Sequence, residues 1–395
     1  MRYRTGGPAA AGTGHSGRMR IVIVGAGIAG AGAAWQLARR GADVAVVDAD
    51  LAGRATAAGA GIVSPWNSRT LDGEELAFHA EGAAYYRTLV EELAAAGAGE
   101  TSFAIVGGLV VSPDETWLRE FHGRAAERAR RWPDAGAVTL LDPAGAAERM
   151  PLLAPDLGAV HIAGGGRVDG RRLRETFLAA ATARGARLVD GVAELEVRSG
   201  RVAGVRVAGE VVEADGVVLA AGAWTAPLAA SLDVSLPVEP QRGQISHFGV
   251  GAPGGDDPGT ASWPVVSPAG SGHYLLAFPD SRVVAGATRE TGTGFDHRVT
   301  ADGQREVLTE ALAVAPGLAG ATLLETRVGF RPVTPDGRPV IGALDAHPEV
   351  TVLTGFGAGG LTIGPHAANL AAAAALGERP DIPELFRPER FDACR

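Results

Sequence analysis

One stretch constrains the fold of this chain more than any other: a short apolar run that breaks directly into a glycine loop. Arg20-Ile-Val-Ile-Val24 is apolar enough, without alternation, for a parallel strand buried on both faces. Gly25-Ala-Gly27-Ile28-Ala29-Gly30 follows at once, and the spacing predicts a helix from about Ile28 to Arg40, stopped by Gly41. Asp43-Val-Ala-Val-Val-Asp48 supplies a second strand, with Ala49 directly after it. In such a βαβ unit Gly25 permits the tight turn, Gly27 lets backbone approach a pyrophosphate, and Gly30 lets helix and strand pack closely. The phosphates belong at the helix N-terminus, where free N–H groups and the positive end of the dipole meet them. Asp48 ends the unit as an acceptor for ribose hydroxyls. A carboxylate there disfavours NADP, while NAD and FAD both stay open from this unit alone.

Composition removes several alternatives. A chain of 395 residues suits two packed domains better than one core. The net charge of −9 argues against a nucleic-acid partner, because phosphate binding needs a basic face. All 36 basic residues are arginine, so lysine Schiff-base chemistry, and with it ordinary pyridoxal-phosphate chemistry, is excluded. Cys394 is the sole cysteine, which rules out an internal disulfide and a cysteine metal cluster and makes the cytoplasm the simplest compartment. No apolar run reaches the roughly 20 residues of a membrane span. Residues 1–18 are read as a disordered tail, with the fold starting at Met19.

Further along, Arg54-Ala55-Thr56-Ala-Ala-Gly-Ala60-Gly61-Ile62-Val-Ser-Pro65 forms a second small-residue loop. Arg187-Leu-Val-Asp-Gly-Val192 reads as a strand and turn. Glu194–Arg198, Val202–Val207 and Val211–Glu213 form a meander turning at Ser199-Gly200. Gly216-Val-Val-Leu-Ala-Ala-Gly222-Ala-Trp-Thr225 is another strand with a glycine turn. Near the end, Gly329-Phe-Arg331-Pro-Val-Thr-Pro-Asp-Gly precedes Val352-Leu-Thr-Gly-Phe356-Gly357-Ala358-Gly359-Gly360-Leu361-Thr362 and an alanine-rich helix predicted from Pro365 to about Leu376. With these motifs in this order, the chain resembles the D-amino acid oxidase / glycine oxidase family of FAD enzymes over nearly everything after Met19. Within the 54–65 loop, Ala58–Pro65 resembles D-amino acid dehydrogenases more closely than glycine oxidases.

The resemblance implies an α/β fold. Its FAD-binding, Rossmann-like parallel sheet is expected from residues 19–97, 159–236 and 331–395. An interleaved substrate domain on a mostly antiparallel sheet is expected from 98–158 and 237–330. FAD would lie along Gly25–Gly30, Asp48-Ala49, Ala55-Thr56, Ala60–Ile62, Val192, Gly222 and Phe356–Thr362. It would be non-covalent, since no histidine or cysteine stands where relatives link it. Arg331 occupies the family's carboxylate-binding position, and Tyr274 lies where glycine oxidase places a tyrosine hydroxyl on the same carboxylate. His247 and His273 are weaker candidates. The implied reaction oxidises the C–N bond of a small amino acid, a D-amino acid or imino acid, by hydride transfer to flavin N5. Glycine or sarcosine oxidation, a 2-hydroxy acid dehydrogenase needing a histidine base, and a silent FAD-binding partner are the alternatives. The implied partners are the amino acid and an electron acceptor (oxygen, quinone or a carrier protein), with a homo-oligomer left open. The lysine that monomeric sarcosine oxidases place over the flavin is missing, which favours an acceptor other than oxygen.

Overall fold

The computed structural model describes residues 17–251 and 257–394, so most of the expected tail, residues 1–16, lies outside the described residues. Arg20–Val24 pairs in parallel with Asp43–Asp48 on one side and Gly216–Leu219 on the other. The full six-stranded sheet runs Val340–Ala343, Val350–Thr354, Gly216–Leu219, Arg20–Val24, Asp43–Asp48, Arg187–Asp190. Only the edge strand Val340–Ala343 is antiparallel to its neighbour. Both faces are covered, which is why these strands read as unbroken apolar runs. The meander Ala193–Arg198, Arg201–Val207, Glu210–Glu213 packs on one face. Ser199 and Gly200, at φ 51° and 77°, make its tight turn.

The other face carries helices Ile28–Arg39, Gly170–Thr182 and Gly360–Ala375. Small side chains let these helices approach closely; a Cβ on Gly32 would already lie 3.0 Å from that of Ala368. The last helix begins at Gly360, a turn earlier than Pro365 suggests, and Pro365 sits inside it. Proline has no N–H for the carbonyl one turn back, at Leu361. That carbonyl accepts the hydroxyl of buried Tyr86 instead, so the helix continues through the proline.

The second sheet has eight strands in the order Thr322–Val333, Glu239–Gly249, Arg282–Gly286, Tyr274–Phe278, Val265–Pro268, Gly108–Ser112, Gly158–Ile162, Val138–Leu141. All its pairings are antiparallel except Val265–Pro268 with Gly108–Ser112. Gly158–Ile162 belongs to this sheet, so the expected division at 158/159 falls within one of its strands. Thr322–Val333 likewise runs across the expected division at 330/331. No described helix is long and apolar enough to cross a membrane.

Candidate functional site

A cleft of about 350 Å³ opens at the C-terminal ends of the parallel strands, lined by Val24, Val47, Ala220 and Leu353 at those ends. Open α/β sheets bind ligands at this end of their strands. Most of the residues singled out from the sequence converge here: Gly25, Gly27, Ile28, Ala29, Asp48, Ala49, Ala55, Thr56, Val192, Gly222, Phe356, Gly357, Gly360 and Leu361.

The three glycines of the first loop are small for different reasons. Gly25 has φ 99°, and a Cβ there would lie 2.5 Å from the Ala220 carbonyl oxygen; at Gly30 it would overlap the Gly25 carbonyl. Both are demanded by the protein itself. Gly27 has an ordinary φ of −66°, and its Cβ would meet only Thr56 Oγ1, at 3.4 Å. Nothing in the polypeptide requires glycine there, which fits a pyrophosphate lying against this backbone. Thr56 contributes from the second loop by accepting the Ile28 N–H at 2.9 Å. Asp48 accepts the backbone N–H groups of Ala26 and Asp50 and lies 3.5 Å from Arg54, so part of its capacity already fixes the turn.

A smaller cavity of about 110 Å³ continues past the 357–361 loop. Ala60, Gly61, Ile62 and Ala358 line this second cavity rather than the cleft. Gly359 faces His79, and the Thr362 hydroxyl donates to the Ile62 carbonyl at 3.0 Å; both hold the loop from behind. Arg331 and Tyr274 are brought together here, the phenol against the guanidinium. Burial raises the Tyr274 phenol above its usual value, with the positive charges of Arg331 and Arg289 opposing the shift, so the hydroxyl keeps its proton as a donor. Arg331 Nη1 donates to the Thr288 carbonyl at 3.0 Å. Its guanidinium lies flat over Gly243, where a Cβ would fall 2.6 Å from both terminal nitrogens.

Several lining residues are not among those singled out from the sequence. Arg289 joins the second cavity and donates to the Gly272 carbonyl at 3.1 Å. Trp224 and Phe330 wall the cofactor cleft, with Arg54 at its edge. Among 36 arginines nothing distinguishes residue 289, and only the pairing of strands across the sheet places it beside Arg331. His247 and His273 line neither cavity. His273 Nε2 lies 3.1 Å from Glu306, and His247 is buried in its sheet.

A cleft at the ends of the parallel strands, abutting a cavity built around a guanidinium, is the arrangement of a dinucleotide-dependent oxidoreductase. Residues 20–374 match the family model described as FAD dependent oxidoreductase, and the chain belongs to that family. It is 41% identical to an uncharacterized oxidoreductase, YurR, of Bacillus subtilis, over 91% of this chain and 96% of that one. Glycine oxidase of Pseudomonas putida is 29% identical, over 94% and 98% of the two chains. The crystal structure of iminodiacetate oxidase from Chelativorans sp. BNC1 superposes with a TM-score of 0.88 at 45% identity, covering 93% of this chain and 99% of that one. The protein is an FAD-dependent oxidoreductase.

Proposed function

We propose that the substrate is a compact secondary amino acid carrying two carboxylates, held with one on Arg331 and Tyr274 and the other on Arg289. The observation that carries this reading is the presence of two guanidinium groups in one small cavity beside the flavin loop. A D-amino acid or glycine would occupy Arg331 and Tyr274 and leave Arg289 without a carboxylate. The similarity to an enzyme named for iminodiacetate, a molecule of this class, supports it.

The cleft residues Gly27, Thr56, Asp48 and Gly357 would hold FAD, and the space around a Gly27 Cβ, which meets only Thr56 Oγ1 and at an ordinary contact distance, fits its diphosphate. When bound, FAD accepts the hydride that leaves the substrate Cα. The protein's own contribution is orientation: a fork of N–H donors fixes one carboxylate in its plane, and a second cation fixes the other end of the molecule. The substrate nitrogen loses its proton, the C–N bond becomes an imine, and water then splits it to an oxo acid and an amine. No histidine base lines the cavity, which speaks against a 2-hydroxy acid as substrate.

An anaerobic panel tests the reading. Iminodiacetate should bleach the flavin faster than glycine, sarcosine or D-alanine. Arg289→Ala should lose about tenfold or more on iminodiacetate while changing little on glycine, the loss of one charge-assisted contact. A D-amino acid bleaching faster than every dicarboxylate, or equal losses on both substrates in Arg289→Ala, would contradict it. Acid precipitation should release all the flavin, consistent with non-covalent binding.

A further inference from the structure

Arg242 lines neither cavity, but its strand partner Phe330 lines the cleft and its chain neighbour Gly243 lines the smaller cavity. Its side chain is only 7% exposed and carries two carboxylate partners, Glu290 at 2.6 Å and Asp296 at 2.9 Å. The same guanidinium donates to the Asp296 carbonyl at 3.1 Å, and Arg242 and Glu290 exchange both backbone N–H···O bonds at 2.9 Å. One desolvated cation therefore ties down both ends of the 290–296 loop.

Each end leads to a different cavity. On the Glu290 side, Oε1 accepts Thr288 Oγ1 at 2.7 Å and fully buried Gln244 Nε2 at 2.8 Å. Thr288 offers its carbonyl to Arg331, and Arg289 stands between Thr288 and Glu290 in the chain. On the Asp296 side, Phe295 stacks on Trp224 with centroids 4.7 Å apart and planes 12° from parallel, and meets Phe330 edge-on at 5.3 Å. Trp224 and Phe330 are walls of the flavin cleft. Phe295 remains 45% exposed, so its own burial holds it weakly and the ion pair next to it supplies the anchor.

We infer that Arg242 is a positioning residue acting on both sites through separate arms. The Glu290 arm sets the two arginines that receive substrate carboxylates. The Asp296 arm keeps Phe295 on the wall of the cofactor cleft and slows flavin release. Within each arm the geometry of one member depends on its partner being present, while the two arms meet only at Arg242. The first arm rests on Arg331 and Arg289 binding carboxylates, as proposed above; the second depends only on FAD.

The test uses the holoenzyme. Glu290→Gln should raise KM for iminodiacetate about tenfold with kcat little changed and flavin release unchanged, since one charge-assisted contact is lost. Asp296→Asn should speed flavin release about tenfold, read as recovery of flavin fluorescence after dilution, and leave KM unchanged. Phe295→Ala should reproduce that faster release, which covers the case in which Asp296→Asn fails to fold. Arg242→Lys should show both effects, because a point charge cannot serve two carboxylates in a plane. Unchanged release in both Asp296→Asn and Phe295→Ala overturns the inference, as does a parallel shift of KM and release in Glu290→Gln. If Arg331→Ala leaves KM unaltered, the carboxylate reading is what fails, and the release measurements still decide whether the Asp296 arm exists.

Discussion

The cofactor cleft and the substrate cavity share the 357–361 loop yet are assembled in different ways. The cleft is built from short contiguous segments, each leaving the C-terminal end of a parallel strand: Gly25–Ala29 after Val24, Asp48-Ala49 after Val47, and Ala220–Gly222 after Leu219. The cavity shares small-residue loops, 58–62 and 357–361, but its charged and hydroxyl groups are single side chains on separate strands and loops, Arg331, Tyr274 and Arg289, with Gly243 as the floor under one of them. A backbone-lined cleft recognises groups common to many nucleotides, and a cavity of placed side chains discriminates among small substrates. Substitutions in the first should therefore change cofactor loading; those in the second should change turnover of a loaded enzyme.

Gly27→Val should break this comparison most severely. The fold leaves room for the side chain, so the protein should still fold, but the branched carbons enter the space of the pyrophosphate. Flavin affinity should drop about a hundredfold, as expected of forced overpacking against a bound group. A yellow, fully loaded variant would contradict the assignment of the cleft.

Arg331→Ala should do the reverse, keeping FAD while lowering kcat/KM about 10- to 100-fold, the loss of a buried charge-assisted pair. Near-normal turnover would make Arg331 structural. Gly243→Ala is a milder version of the same change, because its methyl pushes the guanidinium off its seat without removing it. A loss of about tenfold in kcat/KM at full flavin occupancy is expected; an effect on flavin loading instead would mean that the two sites are not separable in this way.

The smallest effect concerns acid. Burial lowers His79, behind the 357–361 loop, to about 4, and lowers His247, in the substrate sheet, to about 3, with Arg327 adding to the shift. Between those values and the ordinary 6.5, the unfolded chain binds protons that the folded chain refuses. Stability should therefore fall as pH drops below 6.5 and should not change on this account above it. Thermal unfolding of His79→Asn and His247→Asn, followed from neutral to mildly acidic pH, should show a shallower decline than the parent. An unchanged slope in both would assign the acid sensitivity to other groups.

The legibility of the two sites follows the same division. Gly25, Gly27, Asp48 and Phe356–Gly360 could be read because a glycine loop between a strand and a helix has few local alternatives. The start of the last helix was misplaced because Pro365 is locally a helix breaker, and only the distant Tyr86 hydroxyl makes the earlier start affordable. Gly243 and Arg289 had no local pattern to betray them. Arg331 is singled out by family resemblance, whereas the carbonyl, glycine and loop that hold it are not.

The sequence by itself determined the βαβ unit, the small-residue loops that line the cleft and the exclusion of lysine chemistry. Hydrophobic periodicity and glycine sterics act within a few residues, so they are written locally. Tertiary structure alone decided which arginines line the cavity and which hold the loop behind them. Residues 242, 289 and 331 carry the same side chain, and their tasks differ only through what the folded chain packs against each: two carboxylates around Arg242, and a cavity before the other two.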